Sequence, residues 1–537
     1  MAIKKIIITI LLLAISFPGI ISFLKPGFPT THDGHAHLAR FASFEQALAD
    51  GQFPPRWANL AWGYGSPVLT FNFSLPYWMA FFFRQFKLSY YDSFKAVIIL
   101  SHFVSVFGMY FFLKTLTHKT WPALVGAVLY VWVPYRYLDY YVRGEIGEIV
   151  FFALAPLFLW SAYKQKIILI ILTTFLLLLA HQALAGVLLA SSTFFFIVNY
   201  WSWQKTKTIL LGVILGLLLT SYNLFPLLFE RQYTNLNHFI ATNYQNQFPT
   251  IKTMLYSKWS WGAAMPENPD LSMSFQFGVA QWLVVVCALL LLSLKRHRTM
   301  LVVTLILVGL LFLVTQPAKF IYDNISILQA LLFPWRLYGV AIIFVSILCS
   351  LLLSSLKKPI ITVLFGFVLI VVAVIGNRHH LGYVGREYHN DDYYQTYPYI
   401  TDIWGEFLPV WADLKKLDQY KYNRGLIPSS KISVDQGQAE IESLSWKTND
   451  VVVLGTFTQD SLLTLNHHYF PGWEVTIDKY PISITPQELI IFPITKGQHQ
   501  IDLHFDTTPI RRFGDSLSLG IIILIMTVII YKLLPKK

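Results

Sequence analysis

The chain has 537 residues, of which 55% are hydrophobic and only 13% are charged, and its net charge is +12. Soluble domains carry about a quarter charged residues, so this composition excludes a soluble protein and indicates one that crosses a membrane several times. Because the basic residues cluster at predicted helix ends, the positive charge indicates orientation in the membrane and no nucleic-acid partner. The two cysteines, Cys287 and Cys349, lie inside apolar runs and imply no disulfide framework.

The first apolar run extends from Ile6 to Leu24 and follows Lys4 and Lys5. It is long enough to cross a bilayer, which takes about 20 residues. Since no clear small-residue cleavage site follows, the pattern favours a retained helix over a cleaved signal peptide. Further apolar runs bring the prediction to about twelve membrane helices, the others being at 95–115, 121–136, 147–163, 166–182, 184–201, 209–229, 277–294, 299–316, 336–356, 359–376 and 514–533.

Basic residues predict how these helices are oriented. If the N-terminus lies in the cytoplasm and the spans alternate, every short loop on the cytoplasmic side is basic, as the positive-inside rule requires. The basic positions on that side are Lys4/Lys5, Lys114/Lys119, Lys164/Lys166, Lys205/Lys207, Lys295/Arg296/Arg298, Lys357/Lys358 and Lys536/Lys537. We therefore expect a multi-pass protein of the cytoplasmic membrane with both termini in the cytoplasm.

The remaining long segments are then extracytoplasmic. Residues 1–376 form a predicted membrane module with outer loops at 25–94, 137–147 and 230–276. Residues 377–512 contain short alternating runs such as "DVVVLGTF" and "WEVTIDKYPISI", a pattern that is typical of a small β-sandwich. The prediction is thus a polytopic α-helical membrane protein with an extracytoplasmic β-rich domain, followed at 513–537 by a last helix and a cytoplasmic tail.

The stretch "HDGHAH" at residues 32–37 has three interpretations. As a metal site it matches no standard zinc module, and His35 and His37 would point to different sides of a helix, so no metal ligand is predicted. Asp33 precedes an amphipathic helix that ends at Asp50 and Gly51, which fits a helix N-cap. The third interpretation is that Asp33 is a catalytic base.

Charged residues also gather in the second outer loop, where "LDYYVRGEIGE" contains Asp139, Arg143, Glu145 and Glu148. Ionisable residues at a membrane helix end are functional candidates by default. The alternative is a salt bridge from Arg143 to Glu145 or Glu148 that only fixes the loop.

Two more polar residues lie at predicted outer helix ends. Arg336 in "LFPWRLYG" has a guanidinium fork that suits a phosphate, or it extends to lipid headgroups. His181 in "AHQALAG" fits an interfacial hydrogen-bonding residue better than a catalyst.

Taken in order, these stretches resemble a known family. The chain is similar to the GT-C superfamily of integral membrane glycosyltransferases, and more closely to membrane proteins with a 6-pyruvoyl-tetrahydropterin synthase-related domain and to YfhO-like membrane proteins. It departs from the YfhO-like pattern at Lys479, where that pattern has glycine. The matching stretches are "THDGHAHLARFASFEQALADGQFPPRW", "PYRYLDYYVRGEIGE", "LLAHQALAG", "LFPWRLYG", "EFLPVW" and "HHYFPGWEVTID".

The resemblance implies a GT-C-like fold that transfers a sugar from a polyprenyl-phosphate carrier in the membrane to an unknown glycan, lipid or protein acceptor outside the cytoplasm. It implies no firm cofactor, although some relatives use a divalent metal. The resemblance implies Asp33 as a catalytic residue, a second acidic group at Glu145, Glu148 or Asp139, and Arg143 and Arg336 as the cations that bind the carrier phosphate. Glu145 and Glu148 are the predicted choice for the second acid, and His32, His35 and His181 complete the predicted substrate-binding residues.

Two other functions stay open, namely a transporter or flippase and a non-catalytic assembly protein for cell-envelope glycans. Transporters bury ionisable residues in the middle of their helices. The predicted helices are almost free of internal charge, and this favours chemistry at the membrane surface.

Overall fold

The predicted apolar runs fold as helices and the alternating C-terminal runs fold as strands. This computed structural model describes residues 2–268, 270–294, 297–399, 401, 405–423, 426–427 and 430–533. Among the predicted cytoplasmic basic positions, Lys295, Arg296, Lys536 and Lys537 lie outside the described residues.

The helices in chain order are α1 (Ala2–Ser16), α2 (Gly34–Ala49), α3 (Val68–Phe71), α4 (Leu75–Arg84), α5 (Tyr90–Thr117), α6 (Thr120–Val131), α7 (Pro134–Leu138), α8 (Ile146–Tyr163), α9 (Ile167–Ala180), α10 (Gln182–Tyr200), α11 (Trp203–Leu219), α12 (Ser221–Phe229), α13 (Leu236–Asn243), α14 (Ile251–Leu255), α15 (Val279–Leu294), α16 (Arg298–Leu313), α17 (Lys319–Asn324), α18 (Ser326–Gln329), α19 (Tyr338–Ser355), α20 (Pro359–Asn377), α21 (Asp391–Gln395), α22 (Leu414–Tyr422) and α23 (Pro509–Leu533). The strands are β1 (Phe28–Pro29), β2 (Arg386–Glu387), β3 (Ile432–Gln436), β4 (Ala439–Trp446), β5 (Asp450–Phe457), β6 (Ser461–His468), β7 (Trp473–Ile477), β8 (Tyr480–Ile482), β9 (Leu489–Ile494) and β10 (Gly497–Phe505). Short 3₁₀ segments include Phe17–Leu24, which continues α1, and Pro334–Leu337, which precedes α19.

Within the described residues, seven helical stretches are long and apolar enough to cross a membrane, or up to nine if each of two bent helix pairs is one span. Three shorter apolar helices, α6, α9 and most of α15, fall on predicted spans as well. The structure is therefore that of a multi-pass membrane protein, whereas twelve crossings remain a prediction. The seven stretches are Lys5–Leu24, Tyr90–Thr117, Ile146–Tyr163, Gln182–Tyr200, Pro334–Ser355, Pro359–Leu381 and Pro509–Tyr531.

Two predicted spans are interrupted. The run at 209–229 forms α11 and α12, which meet at an angle of 71°. The run at 121–136 is helical only to Val131, because Val133 is extended in front of Pro134. A residue before proline avoids the helical region, so a new short helix begins at the proline instead.

The segment between α6 and α8, which the sequence predicts as an exposed outer loop, is buried. Every residue from 134 to 148 is buried. The chain forms α7, then one π-helical turn (Asp139–Arg143), and then Gly144 at φ +74°, a conformation that glycine adopts without strain. A Cβ on Gly144 would collide with the hydroxyl of Thr31, so glycine also lets the first long polar segment approach.

The C-terminal strands form two antiparallel sheets that enclose a common apolar core. The larger sheet has the order β4-β5-β10-β7-β8, and the smaller one has the order β3-β6-β9. These strands occupy 432–505, which is narrower than the predicted β-rich domain at 377–512. In the described part of 377–431 the only strand is β2, and it pairs with β1 of the first long segment.

Trp57, from the first long polar segment (25–94), packs into the core of the β-sandwich. Its side chain is fully buried in the core that the two sheets enclose. The centroid of its ring lies 5.1 to 6.2 Å from those of four aromatic rings of the sandwich, which belong to His467, Phe470, Trp473 and Phe505. The sandwich is thus packed around a residue that comes nearly four hundred positions earlier in the chain.

Trp57→Ala should lower the free energy of unfolding by about 3–5 kcal/mol, because truncating a buried Trp leaves a cavity that the sheets cannot close. Unfolding of the detergent-solubilised protein, followed by circular dichroism, measures this change. The matched control is Tyr480→Ala in the same sandwich, since Tyr480 is 77% exposed. The control should change stability by no more than about 0.5 kcal/mol, and an equal effect of both variants would contradict the insertion of Trp57.

Candidate functional site

The chain just before α2 is hydrogen-bonded to the buried segment. The backbone N–H groups of His32 and Asp33 donate to the carbonyl oxygens of Val142 and Arg143, at 2.8 and 2.7 Å. These two bonds fix the position of Asp33 relative to the charged residues that follow Val142 in the chain.

Asp33 occupies the position before the first helical residue of α2, where the sequence predicts an N-cap. Its side chain, however, accepts no hydrogen bond from the first turn. The hydroxyl oxygen of Thr31 accepts one there instead, from the N–H of Gly34 at 3.1 Å. The N-cap interpretation of Asp33 is therefore wrong. The Asp33 side chain is partly exposed, and its carboxylate has no hydrogen bond or ion pair within the described part of the chain.

Arg143 lies at the centre of a buried group of carboxylates. Its Nη1 donates to Oε1 of Glu148 at 2.9 Å and also to Asp139, and its Nη2 lies 3.5 Å from Oε2 of Glu145. The hydroxyl of Tyr135 donates to Oε2 of Glu148 at 2.6 Å. The sequence predicted a salt bridge from Arg143 to either Glu145 or Glu148, and in the structure Arg143 pairs with both.

Arg336 joins the same group from the other end of the chain. Its Nε lies 3.1 Å from Oε1 of Glu148, and its Nη2 lies 3.5 Å from Oε2 of Glu145. The neighbouring Trp335 lies over Arg143, with 4.7 Å between the guanidinium carbon and the ring centroid. Because the side chain of Arg336 is mostly buried among protein groups, the interpretation that it extends to lipid headgroups is wrong.

Two histidines line this charged group. Nε2 of His37 lies 3.8 Å from Oε1 of Glu145, and its Nδ1 lies 3.0 Å from the hydroxyl of Tyr77. Nε2 of His181 lies 3.9 Å from Oε1 of Glu148. His37 is therefore a site residue that the sequence prediction missed.

The other two predicted histidines contact different partners. Nε2 of His32 lies 3.1 Å from the carbonyl oxygen of Trp261, and the two rings meet edge to face. His35 contacts Glu387 and Tyr397 instead. Neither imidazole is in contact with the carboxylates around Arg143.

Burial shifts the pKa values of Asp33 and His37 at the start of α2. Burial, and then the charge of Glu145, raise the pKa of Asp33 to about 6, against the opposing effect of Arg143. Burial, and then the charge of Arg40, hold the pKa of His37 well below its usual value. His37 is thus neutral near pH 7, whereas Asp33 titrates close to it, as is typical of a functional carboxyl group.

A second group of three residues lies around His35, apart from the carboxylates around Arg143. His35, Glu387 and His389 each present a possible metal-ligating atom, and these atoms all lie within 4.8 Å of one another. Sequence reasoning did not include Glu387 and His389. Their spacing of two residues was the available signal, because it places both side chains on one side of an extended chain.

A separate cavity of about 290 Å³ lies between the C-terminal end of α8 and the start of α11. Its lining includes Lys164, Lys205, Tyr163 and Tyr200 but none of the carboxylates described above. It belongs to the basic, predicted cytoplasmic end of the helices and offers no acid–base pair.

The fold and the charged group define a multi-pass membrane protein whose helical module holds a buried arginine–carboxylate group beside a β-sandwich. Residues 69–384 match the model of the family described as "6-pyruvoyl-tetrahydropterin synthase related domain; membrane protein". This match covers more than half of the chain, so the protein belongs to that family. The family is one of those that the sequence was found to resemble. No curated protein matches the chain, and no solved structure does.

Arg143→Ala should lower the free energy of unfolding by about 3–5 kcal/mol, because it leaves the buried Asp139 without a cation and Glu145 and Glu148 with Arg336 alone. The thermal unfolding midpoint of the solubilised protein measures the loss. The matched control is Arg512→Ala, since the side chain of Arg512 is 63% exposed and pairs with Asp506 at the surface. If Arg512→Ala lowers the unfolding midpoint as much as Arg143→Ala does, the loss of stability does not come from the burial of the Arg143 ion pairs.

Asp33→Asn should make the protein clearly more stable near pH 7.5 and only slightly more stable near pH 4.5. A carboxyl group whose pKa is about 6 in the folded chain, but near 4 when unfolded, binds more protons folded than unfolded between these values. Its contribution to stability is therefore lost as the pH rises through that window. Unfolding midpoints at both pH values measure the difference, and the surface variant Asp92→Asn should show no such gain. A gain for Asp33→Asn that is equal at both pH values would contradict the raised pKa.

Proposed function

We propose that the protein transfers a sugar from a polyprenyl-phosphate-linked donor to an acceptor hydroxyl on the extracytoplasmic side of the cytoplasmic membrane. The observation that carries the proposal is the side chain of Asp33. It is partly exposed, it makes no hydrogen bond that caps α2, its pKa is raised to about 6, and the charges of Arg143, Arg40 and Arg336 act on it. A general base needs this combination of access and a pKa near the working pH.

The proposed reaction is a single displacement at the anomeric carbon of the donor. The carboxylate of Asp33 takes the proton of the acceptor hydroxyl while the acceptor oxygen bonds to the anomeric carbon. The bond between that carbon and the phosphate oxygen breaks, and polyprenyl phosphate leaves with the electron pair. Since the leaving group is already an anion, it needs cationic stabilisation more than it needs a general acid.

Of the two arginines, Arg336 is the better candidate for the carrier phosphate. Its Nε–H has no hydrogen-bond partner among the described residues, although Glu148 lies 3.1 Å away. Arg143 is in contact with three carboxylates, those of Asp139, Glu145 and Glu148, whereas Arg336 is in contact with only the last two. We therefore assign Arg143 and the two glutamates to holding the site in shape and Arg336 to the phosphate.

The proposal also places the site on the extracytoplasmic side of the membrane. The positive-inside distribution of lysine and arginine supports an extracytoplasmic position for Asp33. No nucleotide-sugar pool exists on that side, so a lipid-linked donor is the substrate class that fits. The lipid chain would reach the site from the bilayer around the helices.

The proposal is tested with purified wild-type protein and Asp33→Asn in vesicles that contain labelled polyprenyl-phosphate sugars and a mixed pool of cell-envelope acceptors. Removing a general base should lower the rate of sugar transfer by at least about 100-fold. In the wild type, the rate should rise with pH through about 6, the pKa of Asp33. The control Asp92→Asn, which changes a half-exposed carboxylate, should transfer normally.

Transfer by Asp33→Asn at the wild-type rate would overturn the assignment of the base. Movement of the labelled lipid across the vesicle membrane without any transfer product, unaffected by the substitution, would instead favour a flippase.

A further inference from the structure

We propose that His35, Glu387 and His389 form a binding site for a divalent transition-metal ion of the zinc class. The site lies between the first turn of α2, which carries His35, and the end of β2 with the chain just after it, which carry Glu387 and His389. It goes beyond the proposed sugar transfer and does not depend on it, because none of its three residues takes part in the proposed displacement.

The spacing of the three side chains fits one ion. Their ligating atoms all lie within 4.8 Å of one another, and Nδ1 of His35 lies 3.6 Å from Oε2 of Glu387. Two ligands of a tetrahedral zinc ion, with bonds of about 2.0–2.2 Å, are about 3.4 Å apart. The His35–Glu387 pair is therefore close to its bound geometry, and only a small movement of His389 is needed.

The imidazole of His35 is already oriented for ligation. Its Nε2 lies 2.9 Å from the hydroxyl of Tyr397, which satisfies one ring nitrogen. Nδ1 is the nitrogen that faces Glu387. A hydrogen bond from the second nitrogen of a ligating histidine to a neighbouring oxygen is the usual support for such a ligand, because it fixes the tautomer and the ring.

Glu387 contributes an oxygen that the protein does not otherwise use. Its Oε2 is buried and accepts no hydrogen bond among the described residues. The neighbouring Arg386 does not neutralise it, because the guanidinium bonds the carbonyl oxygens of Lys25, Pro26 and Gly27. A buried carboxylate oxygen without a partner costs free energy, and a bound cation would remove that cost.

Backbone contacts hold Glu387 and His389 in place. The pairing of Phe28 with Glu387 in the β1–β2 ladder fixes the strand. Two residues further on, the N–H of His389 donates to the hydroxyl of Tyr91 at 3.1 Å. The His389 ring stacks on Tyr393, with 3.9 Å between centroids and 12° between planes. His389 is exposed, so an ion can enter from the solvent.

The donor set selects the class of metal. Two imidazole nitrogens and one carboxylate suit zinc and similar transition metals, whereas calcium and magnesium prefer oxygen ligands alone. Three protein ligands leave a fourth position for water or for a phosphate oxygen. This is the arrangement of zinc sites that keep an exchangeable ligand.

The test uses the full-length protein in detergent, purified with a tag that contains no histidine. The protein is stripped with chelator, loaded with Zn²⁺ and desalted, and its zinc is then measured by mass spectrometry. Wild type should retain about one zinc per chain, and Co²⁺ in its place should give the visible absorption of a tetrahedral site. His389→Ala and Glu387→Gln should each lower the retained zinc at least tenfold. The control His379→Ala changes another exposed histidine, ten positions earlier in the chain than His389, and this variant should retain the zinc.

Two outcomes would overturn the site: wild-type protein that retains no zinc after desalting, or His389→Ala and Glu387→Gln that both retain as much as wild type. Because His389 is exposed, its substitution should leave the unfolding midpoint of the stripped protein unchanged, and this measurement separates lost ligation from lost folding. Asp33→Asn should retain zinc while losing sugar transfer, so failure of the metal site and failure of the proposed reaction are distinguished.

Discussion

The ion pairs of Arg143 are the interaction on which the arrangement of this protein depends. Residues 134–148 carry two guanidiniums, those of Arg136 and Arg143, and three carboxylates, and moving these groups out of water costs several kcal/mol per ion unless they are paired or hydrogen-bonded. The segment is therefore buried as a unit in which Asp139, Glu145 and Glu148 surround Arg143 and Arg336 contacts the two glutamates. Arg136 donates to the hydroxyl groups of Ser105 and Tyr140. Once that unit is folded into the helical module, its carbonyl oxygens at 142 and 143 provide the acceptors that place Asp33.

Local patterns in the sequence were enough to predict most of the secondary structure. Apolar runs locate the long helices, and the amphipathic run that ends at Asp50 locates α2 within a few residues. Alternating runs locate the strands between 432 and 505. Neither pattern foretold that 134–148 would be buried, because its tyrosines and charges are typical of an exposed loop. Burial there depends on mutual compensation of charges, which periodicity does not express.

The contacts of the candidate site also fall into those that the sequence could predict and those that it could not. A bond from Arg143 to Glu145 or Glu148 could be predicted, because these residues are at most five apart in the chain. Arg336 and His37 reach the same acids from remote segments, and only the packing of the helices brings them together. In the sequence, Asp33 suited helix capping as well as a metal site or a catalytic role, and the structure excludes only the capping hydrogen bond, because the hydroxyl of Thr31 accepts from the N–H of Gly34. Such competition between neighbouring acceptors is decided by backbone angles that one sequence does not reveal.

The burial of Trp57 in the sandwich has a practical consequence for dissecting the protein. Residues 430–508 look like an autonomous module, but their core is completed by an indole from far upstream. Expressed as an isolated fragment, the two sheets would be left with an apolar hollow, and surfaces of that kind promote self-association. A soluble version for ligand screening would have to carry the stretch around Trp57 as a tethered peptide, joined by a linker long enough to reach between the sheets.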